Sequence, residues 1–115
     1  MDEIQKLDLK IELDRIDEEC LGYAENRFYE SRLRILIGMW EKGEKVSLYR
    51  GVKGEISYRQ LEIKTGRKQE NLKKWHELYE NNKIKDDYIQ KKAIPQAKSW
   101  TDKTMDKLIT QPKSL

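Results

Sequence analysis

The segment ISYRQLEIKTGRKQENLKKW, residues 56–75, is the part of the chain that determines its predicted fold. It contains two short helical patterns that are separated by a Thr-Gly pair. Ser57 is a favourable N-cap for the first helix, because its side-chain oxygen accepts hydrogen bonds from the free amides of the first turn. Gly66 permits the left-handed conformation that ends a helix and allows a sharp turn. We therefore predict one helix over residues 58–64 and a second over residues 68–81.

The second helix combines an apolar inner face with a polar outer face. The spacing of Leu72, Trp75 and Tyr79 places them on the inner side, and Trp75 is expected to pack in the core. The polar residues left outward are Gln69, Glu70, Asn71, Lys73 and Lys74. Amide side chains pair with adenine, and lysine donates to guanine or phosphate. The outer face therefore predicts a nucleic-acid-reading surface, with a solvated helix face as the alternative.

The same residues resemble the helix-turn-helix of bacterial, phage and plasmid DNA-binding proteins, in particular ParB-like proteins and small phage regulators. Leu61, Gly66, Leu72 and Trp75 occupy the hydrophobic and glycine positions of that pattern, over about twenty of the 115 residues. The resemblance implies that the second helix enters the major groove of double-stranded DNA while the first crosses the backbone. The resulting prediction of DNA-contacting residues is Tyr58, Arg59, Arg67, Lys68, Gln69, Asn71, Lys73 and Lys74.

The segment departs from the family pattern where the two helices pack together. Glu62 stands where the family has a small residue, and Arg67 stands where it has an apolar one. Either the helices cross at a more open angle, or Ile63 and Tyr58 take over the packing. The second helix also lacks a Ser or Thr directly ahead of it, so Thr65 is the expected substitute cap.

Residues 3–43 are predicted to be helical almost throughout. One apolar stripe follows spacings of three and four, through Leu9, Leu13, Ile16, Cys20, Tyr23, Ala24 and Phe28. A continuous helix of this length would span about 60 Å, more than a lone domain of this size can cover. We therefore expect either a break near Gly22 or Asn26, or packing against a second copy. Cys20 is expected to be a small buried hydrophobe.

The remaining segments are predicted from glycine, proline and apolar spacing. Residues 41–55 contain three glycines and a β-prone run at 46–49, which indicates a loop with a short strand or hairpin turn. A short helix is predicted over residues 83–92 and a break at Pro95, because the residue before proline avoids the helical region. A last short helix begins near Ser99 or Thr101, and residues 111–115 are expected to fray.

The charge is unevenly distributed along the chain. Residues 1–48 contain 8 Lys or Arg and 12 Asp or Glu, whereas residues 49–115 contain 16 and 9. This division favours an anionic partner for the second part. Only 37% of the residues are hydrophobic and 39% are charged, so the core must be thin. One cysteine and the absence of a signal-like or membrane-spanning run fit a cytoplasmic protein without a membrane partner.

The sequence contains no residue pattern typical of an enzyme. His76 has no nearby Cys, His or paired carboxylates that would complete a metal site, so it is read as a surface or rim residue. Cys20 has no histidine partner at a recognisable spacing, and no phosphate-binding loop or dinucleotide fingerprint is present. We therefore predict no catalytic residues, no metal, no cofactor and no small-molecule substrate.

The sequence thus predicts an all-α protein with a long N-terminal helix or helical hairpin, a helix-turn-helix and short C-terminal helices. Its regions are 1–45 for dimerisation, 46–110 for DNA binding, and 111–115 as a frayed tail. The predicted function is a homodimeric DNA-binding protein of the phage or plasmid regulator or partition type, with two reading helices about 34 Å apart. The alternative is an adaptor or inhibitor that binds another protein through the acidic N-terminal helix. RNA binding ranks lower, because aromatic-rich strands are missing.

Overall fold

The computed structural model describes residues 3–110, and side chains from residue 8 to residue 108. The elements are α1 (Glu3–Arg50), α2 (Tyr58–Thr65), α3 (Gln69–Glu80), α4 (Lys85–Tyr88), a π-helical turn (Ile89–Ala93) and α5 (Ile94–Thr110). This part of the chain contains no strand, so the prediction of an all-α fold with a long N-terminal helix is confirmed. None of the helices within these residues has the length and apolar character needed to cross a membrane.

Helix α1 is continuous for 48 residues. The break predicted near Gly22 or Asn26 is absent, since both positions lie inside the helix. At 1.5 Å per residue the helix is about 72 Å long, which accounts for the 77 Å longest extent of the molecule. The other elements pack on its later turns, and every described residue from 8 to 20 is exposed. The prediction that Cys20 is buried is therefore wrong, because the stripe that contains it is uncovered in the single chain.

The C-terminal end of α1 differs from the prediction. Residues 46–49 do not form a strand, and the loop expected from residue 41 begins only after Arg50. The helix continues because Val46 is 7% exposed and packs against Leu61 and Leu72, so tertiary contacts override its β preference. The shorter connection turns at Gly51, whose φ of 84° is in the left-handed region that favours glycine.

Helices α2 and α3 form as predicted. The Ser57 hydroxyl accepts a hydrogen bond from the Gln60 amide at 3.1 Å, and the Gln60 side chain accepts one from the Ser57 amide at 2.8 Å. This reciprocal pair is a capping box, which satisfies two free amides at the start of α2. Gly66, with φ of 70°, ends the helix, and its amide donates to the Glu62 carbonyl at 2.8 Å.

The predicted break at Pro95 does not occur. Helical structure runs from Lys85 to Thr110, and the π-helical turn ends at Ala93, two residues before the proline. Within it, the Ile94 amide donates to the Ile89 carbonyl, five residues earlier. A proline inside an α-helix removes one hydrogen bond and its ring clashes with the carbonyl four residues earlier. The wider turn relieves both conflicts, so no separate helix starts at Ser99 or Thr101. The predicted fraying of residues 111–115 lies outside the described residues.

The C-terminal helical segment runs antiparallel to α1. At its start the Tyr88 hydroxyl donates to the Leu36 carbonyl at 2.8 Å, and further along Trp100 meets Phe28 edge-on at a centroid distance of 5.9 Å. Three small side chains on one face, Ala93, Ala97 and Thr101, are at most 3% exposed. Their size allows this segment to approach α1 closely, and the Thr101 hydroxyl donates to the Ala97 carbonyl.

Two small cores hold these elements together. The first joins α1 to the C-terminal segment and consists of Leu36, Trp40, Tyr88, Ala93 and Ala97. Burial raises the pKa of Tyr88 above its ordinary value, because the ionised phenolate loses hydration there. The second core joins α1 to the helix-turn-helix and consists of Val46, Leu61 and Leu72. Helix α1 contributes to both, so it is the common scaffold of the molecule.

Candidate nucleic-acid interface

The helix-turn-helix is held on the C-terminal part of α1. Its connection has three residues, 66–68, within the length typical of this motif. The predicted inner face of α3 is confirmed: Leu72 is 4% exposed, and Trp75 and Tyr79 are half-buried. The Trp75 ring packs on the second core and has the Lys42 ammonium 4.5 Å from its centroid. Trp75 therefore helps to anchor α3 on α1, which leaves the opposite side of α3 facing outward.

The outer face of α3 is open to solvent. The residues predicted to read DNA from this helix are all exposed, namely Gln69, Asn71, Lys73 and Lys74. Arg59, Arg67 and Lys68 are exposed as well. Within the described side chains, none of the five basic residues in these two groups makes an ion pair. Their charge is therefore available to an anion from outside the chain.

Several basic residues elsewhere on the molecule have carboxylate partners. The Lys10 ammonium lies 2.7 Å from Asp14, and this contact raises the pKa of Lys10. Glu41 lies 2.7 Å from Arg34 and 3.5 Å from Lys85, which together hold the pKa of its carboxyl below the usual range. The five predicted cations on α2, the turn and α3 have no such partner among the described residues, as is also true of exposed lysines elsewhere, such as Lys91 and Lys92.

Tyr58 is placed differently from the other predicted contacts. Its hydroxyl lies 2.7 Å from His76 Nδ1, and the Arg50 guanidinium lies 4.0 Å from its ring centroid. The side chain is half-buried against the second core, so it joins α2 to α3 and α1. Of the two residues expected to replace the family's packing positions, Tyr58 does so, whereas Ile63 is 75% exposed.

The N-terminus of α3 is capped by Glu62, a role that the sequence did not predict. The Gln69 amide donates to the Glu62 carboxylate at 2.7 Å. Thr65, the expected substitute, instead donates to the Leu61 carbonyl and accepts from the Arg67 amide. The residue that departs from the family pattern therefore completes the turn. It also places negative charge at the helix end, where the amides would otherwise favour a phosphate.

Two acidic side chains accompany the lysines on α3. Glu70 and Glu77 are exposed, and a spacing of seven residues puts them on one side of the helix. Neither makes an ion pair with Lys73 or Lys74 within the described residues, but both lower the net positive charge along the middle of α3. The excess positive charge is therefore greatest toward the turn, at Arg67 and Lys68.

His76 belongs to a hydrogen-bonded chain across α2, α3 and α1. Its Nδ1 contacts the Tyr58 hydroxyl, and its Nε2 lies 3.1 Å from the Glu80 carboxylate, to which Ser47 donates at 3.4 Å. Loss of hydration raises the pKa of Glu80, but hydrogen bonds from His76 and Lys83 outweigh it, so the pKa lies below its ordinary value. In the sequence, this hydrogen-bonded network is indicated only by the i,i+4 spacing of His76 and Glu80.

No cluster among the described residues has three side chains of the His, Cys, Asp or Glu types positioned to hold a metal ion. Searches of protein-family models, of curated proteins and of solved structures found no match to this chain.

Proposed function

We propose that this protein binds double-stranded DNA through its helix-turn-helix, with α3 in the major groove. The observation that carries the proposal is that all five basic residues predicted to contact DNA, on α2, the turn and α3, are exposed and make no ion pair within the described residues. The second core supports it, because anchoring by Leu61 and Leu72 fixes α3 with its polar side outward. The resemblance adds a role as a phage or plasmid regulator or partition-type factor. From composition and motifs, we further propose that the protein acts without catalysis in the cytoplasm.

The proposed contacts divide by chemistry. Arg59, Arg67 and Lys68 neutralise phosphates and set the position of α3 on the duplex. Asn71 and Gln69 offer paired donors and acceptors to an adenine edge, while the lysines of α3 donate to guanine or phosphate. Tyr58 contributes to binding indirectly, by holding α2 and α3 together.

Binding of the unmodified protein to a random-sequence duplex tests the proposal directly. Four to five phosphate contacts should make affinity fall roughly 150- to 500-fold between about 50 and 200 mM salt, because condensed counterions are released on binding. Fluorescence anisotropy over that salt range measures the slope. No binding at the lowest salt would contradict the proposal. A slope near zero would show that the five cations do not meet phosphate.

Replacing Glu62 by glutamine should tighten DNA binding. The amide oxygen of glutamine can still accept from the Gln69 amide, so the cap on α3 is retained while one negative charge is removed. We expect roughly two- to fivefold higher affinity at low salt, in keeping with the energy of a charge at a helix terminus. Anisotropy titration of both proteins measures this, with equal thermal stability as the control for an intact cap. Weaker binding with the cap intact would place the phosphate contacts away from this helix end.

A second candidate function, that of a protein–protein adaptor, is favoured by the uncovered N-terminal part of α1. Leu9, Leu13 and Ile16 are 46–51% exposed there, among acidic side chains. The two candidates separate in a single experiment. A DNA-binding protein is retained on duplex at about 0.1 M salt and loses retention when Arg67 and Lys68 are reversed to glutamate. An adaptor is not retained under either condition.

A further inference from the structure

The N-terminal part of α1 carries an apolar stripe that none of the other described elements covers. We call residues 8–20 the overhang, because α5 packs only on later turns of α1 and Leu21 is the first described residue that is not exposed. Leu9, Leu13, Ile16 and Cys20 follow one another at spacings of four, three and four. This is the heptad spacing of a two-stranded coiled coil, in which such residues form the seam. The overhang therefore has the pattern of one strand of a helix pair.

The charges beside the stripe show which helix can pair with it. The overhang contains six acidic and two basic residues. In a parallel, in-register pair, Glu12 of one helix would lie beside Asp17 of the other, on both sides of the seam. Two such acidic contacts oppose a parallel pair. An antiparallel pair of the same helices presents different neighbours.

We propose that the overhang pairs with a second copy of itself in antiparallel orientation, about a two-fold axis between Asp14 and Arg15. In this register Leu13 packs on Ile16 of the second copy, and Leu9 packs on Cys20 of the second copy. Flanking the seam, Lys10 lies beside Asp17 of the second copy, and symmetry repeats this pair. The overhang is thus complementary to itself in shape and in charge.

On the other flank, Glu12 of each copy faces Glu19 of the other. Each chain already brings a cation to these two carboxylates: the Arg15 guanidinium lies 2.7 Å from Glu12 and 3.3 Å from Glu19. Arg15 therefore reduces the repulsion across this flank. The contact that would otherwise oppose the antiparallel pair is offset within each helix.

The neighbouring antiparallel registers are less favourable. A shift of one heptad toward the N-terminus sets Lys10 against itself and Glu12 against itself at the axis. The opposite shift sets Asp17 and Glu19 each against itself. Only the central register pairs opposite charges and keeps the four apolar layers matched, so the charge pattern selects orientation and register together.

This pairing determines where the two helix-turn-helix units lie. Helix α3 packs on α1 near Val46, about 31 residues from the axis. At 1.5 Å per residue the two α3 helices would be roughly 95 Å apart along the paired rod. That is almost three turns of the duplex, instead of the single turn of about 34 Å expected from the sequence. Such a dimer would bind two distant sites on one duplex, or two separate duplexes, at its two ends. This consequence rests on the proposed DNA binding, whereas the pairing itself does not.

Disulfide cross-linking without DNA tests orientation and register. The unmodified chain has only Cys20, and in the antiparallel pair the two copies of Cys20 lie roughly 16 Å apart along the axis, too far to join. The variant Leu9→Cys places a second thiol opposite Cys20 of the other copy. We expect mild oxidation to give covalent dimers from Leu9→Cys, and none from the unmodified chain or from Leu9→Cys/Cys20→Ser. Covalent dimers from the unmodified chain would show a parallel pair and overturn the proposal. If sedimentation shows a monomer at all concentrations, the overhang does not pair with a second copy of itself, and the proposal is overturned as well.

Charge exchange gives an independent test that leaves the apolar layers intact. Either Lys10→Glu or Asp17→Lys places two like-charged pairs across the antiparallel interface, and we expect about tenfold weaker dimerisation at low salt. The double variant restores opposite charges and should recover the original dissociation constant. In a parallel pair, Asp17→Lys would instead face Glu12 and strengthen the dimer. Stronger dimerisation of that single variant, or no recovery in the double variant, would overturn the proposal.

Discussion

Replacing Gly43 by alanine is expected to destabilise the protein by about 2–3 kcal/mol, at the upper end of the usual cost of overpacking. Gly43 lies inside α1 against the backbone of α3. A Cβ built at this position overlaps the Trp75 carbonyl oxygen and lies 2.7 Å from its carbon and 2.9 Å from Tyr79 Cβ. Backbone atoms of a packed helix cannot move aside separately, so α3 as a whole must shift away from α1. Urea denaturation measures the loss of stability.

Gly38 provides a matched control in the same helix. A Cβ at Gly38 meets nothing within 4 Å, so alanine adds helix propensity without a clash. We expect Gly38→Ala to stabilise the protein by about 0.5–1 kcal/mol. Comparison at equal protein concentration separates the clash from the general effect of a glycine-to-alanine change. Equal stability of the two variants would mean that α3 does not rest on α1 at Gly43.

Replacing Lys73 and Lys74 together by alanine is expected to reduce DNA affinity by at least tenfold at low salt. Both side chains are exposed, and neither has a carboxylate partner within the part of the chain that the structure describes. If each lysine meets a phosphate, the slope of log affinity against log salt should become shallower by about two. Anisotropy titrations at several salt concentrations measure affinity and slope. Helix packing should not change, because neither residue belongs to a core.

The adjacent pair Lys91 and Lys92 is the control for net charge. Both are exposed and belong to the π-helical turn, outside the helix-turn-helix. Alanine at both positions removes the same charge, but we expect less than a twofold change in affinity. An equal loss from the two double variants would contradict a specific role for α3 and would indicate binding by overall charge alone.

The helix-turn-helix could be predicted from the sequence because its signals are local. Ser57 and Gly66 mark the ends of α2 through the chemistry of a few neighbouring amides and through backbone freedom. The spacing of Leu72, Trp75 and Tyr79 marks the inner face of α3, and the structure buries or half-buries all three. The exposure of the polar face follows from the same spacing. Whether that face contacts DNA stays a prediction.

Glycine and proline gave the wrong predictions where distant contacts decide the structure. Gly43 suggested a loop, but it is a helical residue whose lack of a side chain allows α3 to approach. Pro95 suggested a break, but the preceding π-helical turn accommodates it within one helical segment. In both cases the residue type is compatible with two local structures. The choice between them depends on a helix that is remote in sequence or on hydrogen bonding that a residue pattern does not show.

The details of the candidate site that were missed are contacts between elements. Glu62 was recognised only as a departure from the family pattern, whereas its carboxylate caps α3 across the turn. Tyr58 was predicted to contact DNA, but its hydroxyl lies against His76 on the neighbouring helix. Side-chain spacing within one helix does not report such contacts, since they depend on how two helices are placed relative to each other.

Because α1 is unbroken, the number of residues between two of its surfaces determines the angle between those surfaces about the helix axis. The apolar stripe of the overhang and the surface that supports α3 therefore keep a fixed angle to each other about the helix axis, because α1 continues between them without a break. With 3.6 residues per turn, each residue inserted between the two regions would rotate one against the other by about 100°, and seven residues would bring them nearly back into phase. The number of residues between the two regions thus sets the angle about the helix axis between the proposed self-pairing surface and the proposed DNA-binding surface.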